Sequence, residues 1–147
     1  MANEFVYIPD CKINIARHLL QDEPRIKAAV KSAGLSLDRD LNVNDGILGG
    51  FTPKKAKSLL DHLGTRLMTQ KQRESAIKYA KTNDNDLYED ITDVSTFELF
   101  QDAKGNPLVY LCGNVSPLSE FKVCENFSDY SGLDCLTWLG LREIREK

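Results

Sequence analysis

With 147 residues, 41% of them hydrophobic, the chain can enclose one core and is too short to divide comfortably into two, so one domain spanning residues 1–147 is expected. The formal charge is −3 and the lysines and arginines are scattered, which excludes a stripe that would neutralise a run of phosphates. The start, Met1-Ala2-Asn3-Glu4, carries no basic and then apolar leader, and no later window approaches the roughly 18 apolar residues needed to cross a bilayer. The expectation is a soluble chain, cytoplasmic or virion-associated, with neither nucleic acid nor membrane as partner.

In chain order, Glu4 to Pro9 is a β-rich run closed by proline and reads as an opening strand. Ile13 to Leu20 and Glu23 to Ala33 are weakly helical in spacing, and Gly34 can stop the second stretch. Thr52 is a suitable N-cap, Pro53 suits the first helical position, and Ala56, Leu59, Leu60 and Leu63 recur at helical spacing before Gly64. After the link Thr65-Arg66-Leu67-Met68, Thr69 with Gln72 predicts a capping box, followed by a narrow apolar face of Ala76, Ile77 and Ala80.

Asp84 to Asp90 is polar and acidic and reads as a surface loop. Thr96 to Phe100 and Pro107 to Cys112 predict a hairpin turning at Asp102-Ala103-Lys104-Gly105. From Gly113 to Asp134 the chain is irregular, with Pro117, Gly132 and many small polar residues, a composition that carries recognition more often than packing. Leu136 to Ile144, with the single tryptophan Trp138, reads as the closing strand. The fold class is α+β.

The segment from Thr52 to Ala76 resembles a stretch of the formylglycine-generating enzyme (sulfatase-modifying factor) family. There a helix runs into Leu-Gly-x-Arg-Leu-Pro-Thr and then into a second helix of the form Glu-x-Glu-Trp-Glu-x-Ala. Ala56, Leu63, Gly64, Arg66, Leu67, Thr69, Glu74 and Ala76 match in one register, while Met68 replaces the usual proline and Arg73 the usual tryptophan. Phe5 to Pro9 resembles the family's opening strand, Gly113-Asn114-Val115 the start of its Gly-Asn-Val-Trp-Glu-Trp motif, and Leu139-Gly140-Leu141-Arg142 its closing strand. The resemblance implies a compact C-type-lectin-like domain with two consecutive helices packed on small, irregular antiparallel sheets and with the N- and C-terminal strands adjacent. In such a frame Leu67 would anchor the link in the core and Arg66 would reach a carboxylate or backbone carbonyls. Without the resemblance, the elements imply a helix pair beside a small antiparallel sheet.

The family's oxidase chemistry does not carry over. The close cysteine pair in an Arg-Gly-Gly-Ser-Trp-rich region is missing, and Cys124 and Cys135 are separated by ten residues with only Lys122 nearby. Cys11, Cys112, Cys124 and Cys135 are expected as reduced, mostly buried thiols. His18 and His62 cannot supply the His-x-x-x-His-x-Glu cluster of relatives that use iron to make sulfur-containing amines. Pro117 stands where the family's calcium-ligating glutamate would be, so calcium is lost or its site rebuilt from Glu120. The acidic run Asp84 to Asp90 with Asp93 lacks the spacing of a cation loop. No catalytic residue, metal or other cofactor is assigned.

What remains is a scaffold that displays the 113–135 region. The resemblance implies a non-catalytic binding protein for a protein or glycan ligand, of the kind associated with phage or bacteria. Asn114, Ser116, Glu120, Asn126, Asp129, Tyr130 and Asp134 are the candidate contacts. The alternatives are a divergent thiol-dependent enzyme using Cys124 and Cys135, and a self-associating subunit of a phage-like assembly.

Overall fold

The computed structural model describes residues 4–37, 39–120 and 139–146, with the backbone of 122–123 and 135–136. It is a mixed α+β arrangement of four helices and three small antiparallel sheets, with one short parallel strand pair.

β1 (Phe5–Ile8) turns back into β2 (Ile13–Ala16), which in turn pairs with β10 (Ile144–Glu146), both antiparallel. Two sequence expectations fail at this sheet. Ile13 to Ala16 is extended rather than helical: Ile13 and Ile15 are buried while Asn14 between them is half-buried, a two-residue period. The terminal strands are not adjacent, because β2 lies between them and supplies hydrogen bonds to both.

Helix α1 (Pro24–Ser32) begins on a proline and ends in a Schellman arrangement. Gly34, at φ 77, donates to Lys31 O at 3.0 Å, and Leu35 donates to Val30 O at 3.0 Å. β3 (Asn42–Asn44) and β4 (Ile47–Gly49) form a hairpin whose two turn residues, Asp45 and Gly46, both have positive φ, as a type I′ turn requires. Helix α2 (Pro53–Leu63) follows with Thr52 Oγ1 accepting from Lys55 N, and Gly64 closes it at φ 73. Helix α3 (Gln70–Asn83) carries the predicted capping box: Thr69 Oγ1 accepts from Gln72 N at 3.1 Å and Gln72 Oε1 from Thr69 N at 2.9 Å.

The acidic stretch after α3 is helix α4 (Asn85–Ile91), not a loop. Asp84 caps it by accepting from Leu87 N at 3.1 Å, and Leu87 and Ile91, four apart, are fully buried. The third sheet is β5 (Glu98–Gln101), β6 (Pro107–Leu111) and β7 (Asn114–Pro117). The five-residue β5–β6 loop is tied by Asp102, which accepts from the backbone N–H groups of Lys104 and Asn106. Cys112 and Gly113, both at positive φ, make the tight β6–β7 turn. The stretch expected to be irregular from Gly113 thus opens as a strand and continues into a 3-10 turn, Leu118–Glu120. β8 (Lys122–Val123) and β9 (Cys135–Leu136) pair in parallel. Of the expected closing strand over Leu136 to Ile144, Leu136 lies in β9 and Ile144 in β10. Between them Leu139 and Leu141 are buried, and Gly140 bridges Glu98 in parallel. Trp138 lies outside the described residues.

Among the described residues two large apolar clusters fill the interior, with Phe100, Leu108 and Tyr110 as a third, smaller one. The larger joins α1, β4, α2, β5 and β6 through Ile26, Leu48, Phe51, Leu59, Leu99 and Val109. The second joins the first sheet to α3 and α4 through Ile8, Ile15, Ala76, Leu87, Ile91 and Ile144. The α2–α3 link spans both, but not as expected. Met68 is fully buried in the second cluster, whereas Leu67 is only half-buried against the first. Arg66 reaches Glu146 at 3.0 Å and Leu67 O at 3.4 Å, fixing the link against β10.

Because the capping box sets where α3 starts, Thr69→Ala should destabilise the protein by about 1 kcal/mol. Urea denaturation followed by circular dichroism would register this as a lower midpoint with an unchanged slope.

Candidate binding face and its buried support

Register along the third sheet sorts its side chains by face. Leu99 pairs with Val109 and faces the larger cluster; Glu98 pairs with Tyr110 and Phe100 with Leu108 on the other face. That second face is covered by Arg73 of α3, whose guanidinium carbon lies 4.2 Å from the Tyr110 ring centre and 5.1 Å from that of Phe100. Burial lowers the pKa of Arg73, with the nearby Glu98 charge opposing the shift. Arg73 donates to Ile91 O at 2.7 Å and lies 3.8 Å from Glu98.

Glu98 is itself fully buried and is shared with a second buried arginine, Arg142, at 3.3 Å. Arg142 also donates to Ala16 O at 3.1 Å, Arg17 O at 2.6 Å and Asp90 at 2.6 Å. The unit therefore contains two arginines and two carboxylates. It joins β2, α3, α4, β5 and the C-terminal segment, and its outer member, Asp90, also meets His18 at 2.6 Å. One Glu98 oxygen and Arg73 Nε lack a hydrogen-bond partner and face each other only as an ion pair.

The predicted contact residues fall as follows. Asn114 and Glu120 are exposed and Ser116 is half-buried. Asn114 and Ser116 stand opposite Leu111 and Val109 on one face of β7, and Glu120 follows on the 3-10 turn. Asn126, Asp129, Tyr130 and Asp134 lie outside the described residues, so only the first three are placed. Sequence reasoning missed Val94 and Val115. Val115 stands opposite Tyr110, whose hydroxyl donates to Thr92 O at 2.8 Å, and a Cβ on Gly113 would touch Val94 at 3.3 Å. Val94 at 64% exposure and Val115 at 43% thus share one side of the sheet, beside the β6–β7 turn. The Cys112-Gly113 turn was the missed signal, since it places a strand where irregular chain was expected.

The remaining candidates separate. Cys124 lies outside the described residues, as does the Cys135 side chain. Cys112 is exposed, against the expectation of mostly buried thiols, and Cys11 is half-buried, with burial pushing its thiol pKa up. His62 is exposed on α2 with Nδ1 2.9 Å from Ser58 O. Much of the acidic run is already engaged. Asp84 pairs with Arg17 at 2.6 Å, Asp90 with Arg142, and Asp93 accepts from Ser95. Among the described residues no group of three or more His, Cys, Asp or Glu is arranged to hold a metal ion, and no described helix is long and apolar enough to cross a membrane.

No family model, curated protein or solved structure matches the chain.

Glu98→Gln removes the charge that compensates two buried arginines and should cost about 3–5 kcal/mol, measured as the loss of unfolding free energy in urea. A second expectation concerns acid. The hydrogen bond from Arg17 holds the Asp84 carboxyl below the usual carboxylate range. The stability from this pair is therefore complete above the unfolded carboxyl pKa of about 3.9 and is lost as pH falls from there through the lower folded value. Asp84→Asn should be less stable than the parent at neutral pH and lose less stability between about pH 5 and pH 2, by thermal melting across that window.

Proposed function

We propose that the chain is a non-catalytic binding protein on a C-type-lectin-like scaffold, recognising a protein or a glycan through the 113–135 region. The observation that carries this reading is the exposed pair Val94 and Val115 beside a strand that offers Asn114 and Ser116 on its other face. Exposed aliphatic side chains on one face of an edge strand and adaptable polar groups on the other give a ligand two kinds of contact along the same strand. β7 is also the outer strand of its sheet among the described residues, so its backbone adjoins the same surface.

The scaffold reading is supported by local architecture. A glycine stop, a four-residue link and a threonine capping box join α2 to α3 in the manner of the motif that the sequence resembles. Where that motif carries tryptophan, Arg73 stacks its flat guanidinium on Phe100 and Tyr110, filling a place suited to a planar group. A phage or bacterial setting follows from the resemblance alone.

The test is a glycan array together with a random-peptide display library, both probed with the intact chain. A ligand using either face of this strand should lose at least about tenfold in affinity on Val94→Asp with Val115→Asp, or on Asn114→Ala with Ser116→Ala, the size expected when central contacts are removed. No enriched glycan or peptide, or an enriched one whose affinity survives all four substitutions, would overturn the proposal.

A further inference from the structure

On the far side of Asp90 from Arg142 the surface opens into a two-part groove. One half, about 470 Å³, has an apolar wall of Leu19, Ile47, Leu48 and Phe97, with Asp45 at its hairpin rim. The other half, about 550 Å³, is lined by Glu4, Arg17, His18, Asp86, Glu89 and Asp93. The halves adjoin at Asp90. Asp90 lines both, and Gln21 of the acidic half bridges to Ile47 of the apolar half.

The charge of this groove is one-sided. Of the basic side chains lining it, Arg17 is committed to Asp84 and Glu4, and His18 is held by Asp90. Asp90 itself is balanced by Arg142 from beneath. Asp86 and Glu89 on α4, Asp93 after it, and Asp45 on the β3–β4 turn are all exposed carboxylates, Asp93 accepting from Ser95 and Asp86 within reach of the Arg17 charge. A neutral apolar body would leave the acidic half unmatched, and a simple cation would leave the apolar half wet.

We propose that this groove docks a linear basic peptide segment of a partner protein. An apolar side chain of that segment enters between Leu19, Ile47 and Phe97, and neighbouring lysine or arginine side chains meet Asp86, Glu89, Asp93 and Asp45. Opposite charge on the two partners favours encounter and sets direction, while the apolar contact supplies the part of the affinity that salt does not screen. The site is distinct from the β7 face, and its failure would leave that reading untouched.

The experiment is fluorescence anisotropy of the intact chain with a labelled synthetic peptide alternating leucine and arginine, and with a second peptide in which serine replaces each leucine. Saturable binding of the leucine peptide is expected, weakened roughly fivefold by Asp86→Asn combined with Glu89→Gln, given the modest strength of exposed charge pairs. Asp45→Asn should also weaken it. Asparagine keeps the left-handed turn conformation, so this variant changes charge without disturbing the hairpin, and an unchanged denaturation midpoint would verify that. Equal binding of the serine peptide would mean ion exchange on an acidic surface and would overturn the proposal. So would the absence of saturable binding. Binding that ignores these three substitutions but is lost on Val94→Asp with Val115→Asp would overturn it too, by moving the peptide to the β7 face.

Discussion

The structure depends on one buried carboxylate. Glu98 sits without solvent between Arg142 and Arg73, and each of the three would be costly alone in a low-dielectric interior. An isolated buried charge loses several kcal/mol of solvation, more than a single ion pair reliably returns. The arrangement is tolerable because the remaining donors of Arg142 are spent on Ala16 O, Arg17 O and Asp90, and because Arg73 finds Ile91 O and two aromatic faces. Those partners come from three separate parts of the chain: Ala16 with Arg17, Asp90 with Ile91, and Phe100 with Tyr110. Apolar contacts hold the two clusters together without fixing how they meet, whereas this unit accepts only one geometry.

That seam explains why the sequence was legible in parts. Helix boundaries that depend on local chemistry could be read directly. Thr52, Gly64, Thr69 with Gln72, and Gly34 each act within four residues of themselves, and each was found where expected. Elements whose identity depends on distant partners could not. Ile13, Ala16 and Leu20 fit a helical spacing as well as Ile13 and Ile15 fit a strand, and pairing to both β1 and β10 decides the matter. The acidity of Asp84 to Asp90 hid a short helix because solvent faces three of its sides, while Leu87 and Ile91 carry the fourth. For that helix and for the β3–β4 hairpin the signal was present and unused: an aspartate cap ahead of an i, i+4 apolar pair, and the Asp45-Gly46 dipeptide.

The candidate surfaces were harder still. Asn114, Ser116 and Glu120 were named from composition, which cannot say that a strand alternates their faces. Val94 and Val115 are ordinary apolar residues in sequence, twenty-one positions apart, and nothing local says that Val94 lies beside the Cys112-Gly113 turn or that β7 sets Val115 opposite Tyr110. Arg142 and Arg73 gave no hint of burial, because arginine is mostly a surface residue and nothing local identifies the carboxylate that will receive it.

The segment from Asp90 to Phe97 ties the two surfaces to that buried unit. Asp90, Ser95, Thr96 and Phe97 line the groove, while Val94 borders the β6–β7 turn. Its path is set by short polar contacts rather than by packing alone. Arg73 holds Ile91 O, Tyr110 holds Thr92 O, Asp93 accepts from Ser95, and Phe97 O accepts from Gly140 N at 2.9 Å. A connector of eight residues anchored at three points and tied within itself by Asp93 and Ser95 has little freedom to shift one end without the other. Both faces therefore rest on the same arginine and glutamate pairing, and a change that loosens Glu98 would be felt at the groove and at the β7 edge together, although neither surface touches Glu98 through its lining side chains.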